Sequence, residues 1–314
     1  SGSIFYVRRN SLQKIYRADM RKIVRYTTII LITAASFLFS SCPEELKDLD
    51  IPPYCVSLNN YMQVNINSDS YLFIGNAMEP GYLLQQNSMR QSRPLFIIAG
   101  RYIGLGIYYI SYPFHGYIED FLMNKPALSA SFSETQIKNG VDFFCIYIGF
   151  LILNFLTLLC CLILFEKIVI MLTGKWKNHS ILLTLLMVTL ISNMLTRYFF
   201  FSAHQQLLNI LTPLLSLYLG LYILKYRVSP KRLYWICFGL GIALLSYGTF
   251  LLTLPAVWFA YLYSNWQHQS KIKLILVSAF LVFLFFAPTT AWILYLKSIG
   301  IQFYSAEVSR YHQL

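Results

Sequence analysis

Long apolar stretches, separated by short segments that carry the charges, make up most of this chain. A helix needs about 20 mostly apolar residues to cross a bilayer, and somewhat fewer when its ends are amphipathic. The stretches near that length predict an all-α, polytopic integral membrane protein with about seven transmembrane helices. The predicted spans are residues 27–42, 143–165, 181–196, 207–224, 233–247, 250–264 and 274–296.

The apolar stretch at 233–266 is too long for one crossing and short for two. Gly248 lies near its middle between two polar side chains, and basic residues lie both before it (225–232) and after it (271–273). Lys and Arg favour the cytoplasmic side of a membrane. Two short, tilted crossings keep both basic clusters on that side, so we predict a helical hairpin.

The stretch at 95–112 is apolar but contains Arg101. If it crossed the bilayer, every later loop would change sides, and Lys167 would be exported with its basic neighbours. We therefore predict a juxtamembrane helix that lies along the outer interface.

These assignments divide the chain into five regions with distinct charge. They are a basic cytoplasmic N-terminus (1–26), the first span (27–42), a large exported loop (43–142), a six-helix region (143–297) and an exported C-terminal segment (298–314). Asp19 and Glu166 are the only acids on the cytoplasmic side, which holds most of the bases. This distribution predicts a cytoplasmic N-terminus and suits a bacterial inner membrane.

The composition agrees with this class. Hydrophobic residues are 57% of the chain and charged residues only 12%, whereas a soluble domain has about a quarter of its residues charged. The net charge of +12 is also typical of nucleic-acid binding, but here the bases flank apolar runs instead of forming a soluble patch. Membrane lipid, and no nucleic acid, is the expected partner.

The six cysteines do not form a recognisable disulfide framework. Four fall within apolar runs, where they suit helix packing. Cys42 ends an apolar run that follows Met20. The run is either a lipoprotein-type signal with an acylated Cys42 or, as we favour, an uncleaved first span. A disulfide between Cys42 and Cys55 is a further alternative.

The exported loop carries most of the acids, while the predicted spans are nearly free of ionisable groups. This arrangement favours an enzyme that works at the outer face. Asp69 begins a short amphipathic helical pattern, and its alternative role is a helix N-cap. Arg93 and Pro94 stand where the interfacial helix begins, since Pro is favoured in a first helical turn. Arg93 is a candidate site residue; the alternative is that the two residues only start the helix and anchor it at the interface.

The order of these features resembles the polytopic GT-C glycosyltransferases, such as the protein O-mannosyltransferases and the aminoarabinose transferases. In these families an acid near the start of the first exported loop, followed by Tyr and Ala, often precedes a Lys/Arg-Pro stretch on a juxtamembrane helix. The matching positions are Asp69, Tyr71, Ala77, Arg93, Pro94, Leu95 and Phe96. The resemblance implies a polyprenyl-phosphate sugar donor and transfer to an acceptor (a glycan, lipid or protein) at the extracytoplasmic face.

The resemblance also implies roles for individual residues. Asp69 would act as the general base on the acceptor. Arg93, or as second choice Arg197, would bind the donor phosphate, and His204 would orient the acceptor or assist as acid or base. Many members have a second acid in the next exported loop, but here that loop has none. A divalent metal is therefore unsupported, and we expect no cofactor.

Two other functions stay open. A transporter or flippase of a lipid-linked saccharide would need conformational breaks in its spans, for which Pro213, Pro255 and Pro288 are candidates. A non-catalytic membrane scaffold is the third. The GT-C families usually have more than seven spans, so we expect this chain to be a fragment.

Overall fold

The structure, a computed structural model, is mostly helical. It describes residues 2–39, 55–57, 59, 61–65, 68–88, 90–123, 140–174 and 180–304. The helices are α1 (Gly2–Leu38), α2 (Ser68–Met78), α3 (Pro94–Ser111), α4 (His115–Met123), α5 (Gly140–Thr173), α6 (Ser180–Ile191), α7 (Met194–Phe199), α8 (Leu208–Tyr226), α9 (Pro230–Leu244), α10 (Thr253–Asn265) and α11 (Lys271–Ser298). Two short strands, β1 (Cys55–Ser57) and β2 (Gln63–Asn65), pair antiparallel with Val56 opposite Val64. The predictions at Cys42 and in residues 305–314 lie outside the described residues.

Four helical segments among the described residues are long and apolar enough to cross a membrane, fewer than the seven predicted. They are Pro94–Asp120, Gly140–Thr173, Gln205–Tyr226 and Lys271–Ser298. Three of the seven predicted spans (143–165, 207–224 and 274–296) lie on these segments. The predicted spans on α6, α9 and α10 do not, because those helices have only 12, 15 and 13 residues. The predicted first span at 27–42 is not among the four either; α1, which carries it, ends at Leu38. The sequence prediction also placed the first of the four segments outside the bilayer, although its length and apolar composition fit a span.

The predicted span at 181–196 is interrupted. Helix α6 ends at Ile191, and α7 begins at Met194. The side chain of Asn193 accepts a hydrogen bond from the backbone N–H of Thr196 at 2.9 Å, which caps the new helix. The polar pair Ser192–Asn193 therefore ends one helix and redirects the chain before it reaches His204.

The predicted division of 233–266 into two helices is confirmed. A 3₁₀ turn at Gly248–Leu252 joins α9 to α10. The two arms contact each other little: α9 packs mainly on α11, and α10 packs mainly on α8. At the turn, Tyr247 accepts a hydrogen bond from Asn209 at 3.1 Å, and Thr249 lies 3.1 Å from Thr212. The turn is thus fixed to the first residues of α8.

The basic clusters collect at one end of the helices. Glu166 on α5 is buried, and its carboxylate accepts hydrogen bonds from Arg25 at 3.3 Å and from Tyr26, which joins α1 to α5. Lys22 lies 3.9 Å from the same carboxylate. Lys167, the next residue, lies over the ring of Tyr218 on α8.

The ends of α8 and α10 lie at this same end, because Leu224, Arg227, Tyr263 and His268 line one cavity. We call this region, which contains Lys22, Arg25, Glu166, Arg227 and His268, the basic end. Since α8, α9, α10 and α11 run in alternating directions, the start of α8 and the end of α11 lie at the opposite end.

Helix α3 lies directly against the first half of α5. Gly100 and Gly104 face Gly149, and a Cβ built on Gly149 would lie only 2.5 Å from the backbone oxygen of Gly100. Pairs of small residues four positions apart allow helix backbones to approach this closely. Because α3 begins directly after Arg93, this contact also fixes the position of that residue.

Candidate functional site

Helix α2 presents Asp69 at the end of the bundle opposite the basic end. Phe73, Ile74 and Ala77 form its buried face and are fully inaccessible. Asp69 lies in the first turn, and 45% of its side chain is exposed. The apolar face thus anchors the helix, while the carboxylate reaches a solvent-accessible position.

The structure brings Asp69 and His204, both predicted from the sequence, into direct contact. Asp69 Oδ2 lies 3.0 Å from His204 Nε2, and Asp69 Oδ1 accepts a hydrogen bond from Arg90 Nη2 at 2.9 Å. The three side chains come from α2, from the loop before α3 and from the loop after α7. Arg90 was not predicted as a site residue.

His204 holds Asp69 in place. Its Nδ1 accepts a hydrogen bond from the backbone N–H of Gln206 at 3.2 Å, so Nε2 carries the proton that is donated to Asp69. The ring is buried against Phe73 and Phe199, and this burial lowers the pKa of His204 although Asp69 opposes the shift. Both ring nitrogens are engaged, which fits a positioning residue better than the acid, base or acceptor-orienting role expected from the sequence.

The loop that carries His204 is held by hydrogen bonds from α5 and α2. Asn154, itself buried, donates to the backbone oxygens of Phe199, Phe200 and Ser202 at 2.8–3.1 Å. The backbone N–H of Ala203 donates to the Ser70 hydroxyl at 3.1 Å. Asn154 therefore satisfies the carbonyls of an irregular turn, which otherwise cost free energy when buried.

Asp69 stays ionised over the whole physiological range. The hydrogen bond from His204 lowers the pKa of Asp69 to about 2, and the Arg90 charge acts in the same direction, while partial burial opposes both. A carboxylate with two such donors keeps free lone pairs on both oxygens. It can therefore accept a further hydrogen bond from a bound molecule.

Two arginines lie beside this carboxylate. The Arg90 guanidinium lies 4.4 Å above the ring of Phe73, and that of Arg93 lies 5.4 Å from the ring centre of Tyr247. Burial lowers the pKa of Arg93, the neighbouring Arg90 charge lowers it further, and Asp69 opposes the change. The predicted phosphate ligand Arg93 is thus within electrostatic reach of Asp69.

Arg197, the second predicted phosphate ligand, is not brought to this cluster. It is exposed on α7. Within the described ranges, its side chain forms no ion pair with Asp69, whose partners are Arg90 and His204.

Gln91 fixes the loop that carries Arg90 and Arg93. Its side chain is fully buried; its Oε1 accepts from the backbone N–H of Tyr304 at 3.0 Å, and its backbone oxygen accepts from Trp292 Nε1 at 2.8 Å. These partners lie on α11 and directly after it. No local sequence pattern distinguishes Gln91, because its partners lie 201 and 213 residues further along the chain.

Arg101 stabilises the helix that carries Asp69. Its Nη1 donates to the backbone oxygens of Ala77 and Met78, both at 2.6 Å. These are unpaired carbonyls at the C-terminus of α2, where a positive charge also interacts favourably with the helix dipole. The Arg101 guanidinium therefore binds within the protein, between α3 and the end of α2.

The cluster combines a fixed carboxylate with two cations. It suits a molecule that has both a hydrogen-bond donor for Asp69 and an anionic group for the arginines. Among the described residues, no group of three or more His, Cys, Asp or Glu side chains is placed to hold a metal ion. Comparison with protein-family models, with curated proteins and with solved structures found no match to this chain.

Proposed function

We propose that this chain is a GT-C-like membrane glycosyltransferase that uses a polyprenyl-phosphate sugar donor. The observation that carries the proposal is the half-exposed carboxylate of Asp69, held by Arg90 and His204 with Arg93 beside it. One group can receive a proton from the acceptor, and an adjacent cation can bind the phosphate that leaves.

The reaction would proceed by one displacement at the anomeric carbon of the sugar. The acceptor oxygen or nitrogen donates a hydrogen bond to Asp69 and attacks the carbon, the bond to the phosphate oxygen breaks, and Asp69 takes the acceptor's proton. A carboxylate with a pKa of about 2 is a weak base. The proton therefore transfers late, once the acceptor atom has gained positive charge, and Asp69 acts largely by orienting the acceptor.

Arg93 is the proposed phosphate ligand. An anion beside it would relieve the repulsion between Arg93 and Arg90 that lowers the pKa of Arg93. Arg90 already forms an ion pair with Asp69. It would mainly keep the carboxylate ionised, and add charge that favours the phosphate leaving group.

The sidedness of the proposal follows from the basic end. If Lys and Arg remain cytoplasmic, Asp69 faces the extracytoplasmic side, where polyprenyl-linked sugars would be used. We propose seven crossings with a cytoplasmic N-terminus, in a bacterial inner membrane. In this arrangement α9 and α10 are short crossings. Helix α3 lies along the outer interface, as the charge pattern predicts.

The test is transfer of a radiolabelled sugar from a polyprenyl-phosphate donor by the purified chain in detergent. We expect Asp69→Asn to lower the rate by about a hundredfold or more, in the range of general-base catalysis. Asp120→Asn is the matched control, because Asp120 is exposed on α4. Full transfer by Asp69→Asn would exclude Asp69 as the base.

A second pair of variants tests the phosphate ligand. Arg93→Gln should lower kcat/KM for the donor by about ten- to a hundredfold, the value of one charge-assisted hydrogen bond. Arg197→Gln removes the same charge from an exposed position and should change it less than twofold. If Arg197→Gln is the more damaging change, the assignment of the phosphate site is wrong.

The three prolines that were candidate breaks for a transporter do not interrupt helices. Pro213 and Pro288 lie inside continuous helices, and Pro255 lies in the first turn of α10. Translocation of a lipid-linked saccharide in proteoliposomes, without any transfer, would nevertheless support it over the enzyme.

A further inference from the structure

A pocket that is partly open to its surroundings lies at the basic end, away from Asp69. It has a volume of about 750 Å³ and is lined by Arg227, Ser264, Gln267 and His268, with Tyr263 and Trp266 at its side. We call it the headgroup pocket. Its polar groups lie among exposed aromatic side chains, a combination typical of the membrane–water interface.

The headgroup pocket continues into an apolar groove between α8 and α10. This acyl groove has a volume of about 680 Å³ and shares Leu224, Phe259 and Tyr263 with the pocket. It extends along α10 from Tyr263 to Leu252, roughly 16 Å at 1.5 Å per residue. A Cβ on Gly220, which lines the groove, would meet nothing within 4 Å, so the groove is open there.

Four basic residues at this end form no ion pair with any carboxylate in the described part of the chain; they are Lys225, Arg227, Lys231 and Arg232. The buried acid of this end, Glu166, already pairs with Arg25 and Lys22. An anionic group from outside the protein would therefore meet no competition from the described carboxylates.

Arg227 is placed to bind that group. It ends α8 in the left-handed conformation, with φ +45°, and its backbone N–H donates to the Ile223 oxygen. A non-glycine residue is strained in this conformation. This conformation therefore occurs at a residue that lines the pocket. Guanidinium groups bind phosphate in a forked geometry.

We infer that the headgroup pocket and the acyl groove together bind one anionic phospholipid of the leaflet at the basic end. Its phosphate interacts with Arg227 and His268, and one acyl chain occupies the groove between α8 and α10. A polyprenyl-phosphate donor does not fit this assignment, because its phosphate would lie at the end opposite Asp69. The inference needs the helices to lie in a bilayer, but not the glycosyl transfer itself.

The first test uses the full chain in detergent, with phosphatidylglycerol or phosphatidylcholine added at equal mole fraction, and native mass spectrometry to count bound lipid. We expect phosphatidylglycerol to bind preferentially. Arg227→Gln should weaken its binding about five- to tenfold, the effect of one basic residue near a lipid phosphate. Arg232→Gln removes the same charge outside the pocket and should change binding less than twofold.

A second pair of variants tests the groove. Gly220→Leu fills it and should abolish retention of phosphatidylglycerol. Gly239→Leu is the control, because a Cβ on Gly239 in α9 also meets nothing within 4 Å and that residue does not line the groove. If Gly220→Leu does not fold, the arginine pair still decides the question.

Three results would overturn the inference. They are equal losses in Arg227→Gln and Arg232→Gln, equal binding of phosphatidylcholine, and displacement of phosphatidylglycerol by polyprenyl phosphate. Asp69→Asn should retain phosphatidylglycerol whether or not it loses transfer, so the lipid site and the proposed enzyme can fail separately.

Discussion

The contact between α3 and α5 makes a sharp prediction about two glycines of the same helix. A Cβ on Gly104 would lie 2.6 Å from the Cα of Ile146 and 2.9 Å from its Cγ1. Carbon atoms ordinarily approach to about 3.5–4.0 Å, so Gly104→Ala must separate the helices by about 1 Å. A Cβ on Gly106 meets nothing within 4 Å. Gly106→Ala is therefore the matched control.

The expected magnitudes have opposite signs. Replacing Gly by Ala within a helix stabilises it by about 0.5–1 kcal/mol, which is the whole effect expected for Gly106→Ala. Overpacking costs about 1–3 kcal/mol, so Gly104→Ala should be destabilised relative to Gly106→Ala by about that amount. The assay is reversible unfolding in mixed micelles with increasing SDS, followed by circular dichroism. If both variants unfold at the same midpoint, the close packing of α3 on α5 is not what the structure indicates.

Three further predictions concern the site and its supports. Asn154→Ala leaves the carbonyls of the turn at Phe199–Ser202 unpaired and should lower the free energy of unfolding by about 1–3 kcal/mol. Thr189→Ala, at an exposed position of α6, should change it by less than about 0.5 kcal/mol, as at most surface positions. Equal effects would show that the turn does not need Asn154. Glu166→Ala leaves Arg25 and Tyr26 without their buried partner and should lower the free energy of unfolding by about 3 kcal/mol. Asp19→Ala, on the exposed side of α1, is the control. A loss no larger than that of Asp19→Ala would show that Glu166 does not join α1 to α5. Burial lowers the pKa of His204 from its ordinary value of 6.5. As the pH falls, the unfolded chain therefore binds a proton before the folded chain does, and stability should fall below about pH 6.5. Unfolding midpoints measured between pH 7.5 and 5 should show this fall in the native chain and a weaker one in His204→Gln. The lowered pKa of Asp69 adds a loss only below pH 3.8, as the pH falls toward 2.

Several parts of the site follow from local sequence patterns. Asp69 stands at the start of a short amphipathic helix, and Arg93 precedes the Pro that begins α3. Both patterns depend on neighbours within a few residues, so they are visible in the sequence. His204 was predicted as a site residue from its position in the next polar loop, and the structure places it in contact with Asp69.

Other parts depend on contacts that no local pattern encodes. Arg90, rather than Arg93, pairs with Asp69 because Gln91 is held by Trp292 and Tyr304. Hydropathy identified most of the apolar helices but not their lengths. Within the apolar run at 181–196, α6 ends at Ile191 and the Asn193 side chain caps a new helix. A cap can start a new helix inside an apolar sequence when it satisfies the backbone donors of that helix.

The splayed hairpin of α9 and α10 has a consequence for the surrounding lipid. Helices of 15 and 13 residues are only about 20–22 Å long, against a hydrocarbon core of about 30 Å. Because the two arms pack on different neighbours, both expose their short length to lipid. Such a mismatch costs fractions of a kcal/mol per ångström and is relieved by local thinning of the bilayer. We expect the headgroups of both leaflets to approach each other beside this hairpin, so that the protein prefers thin membranes.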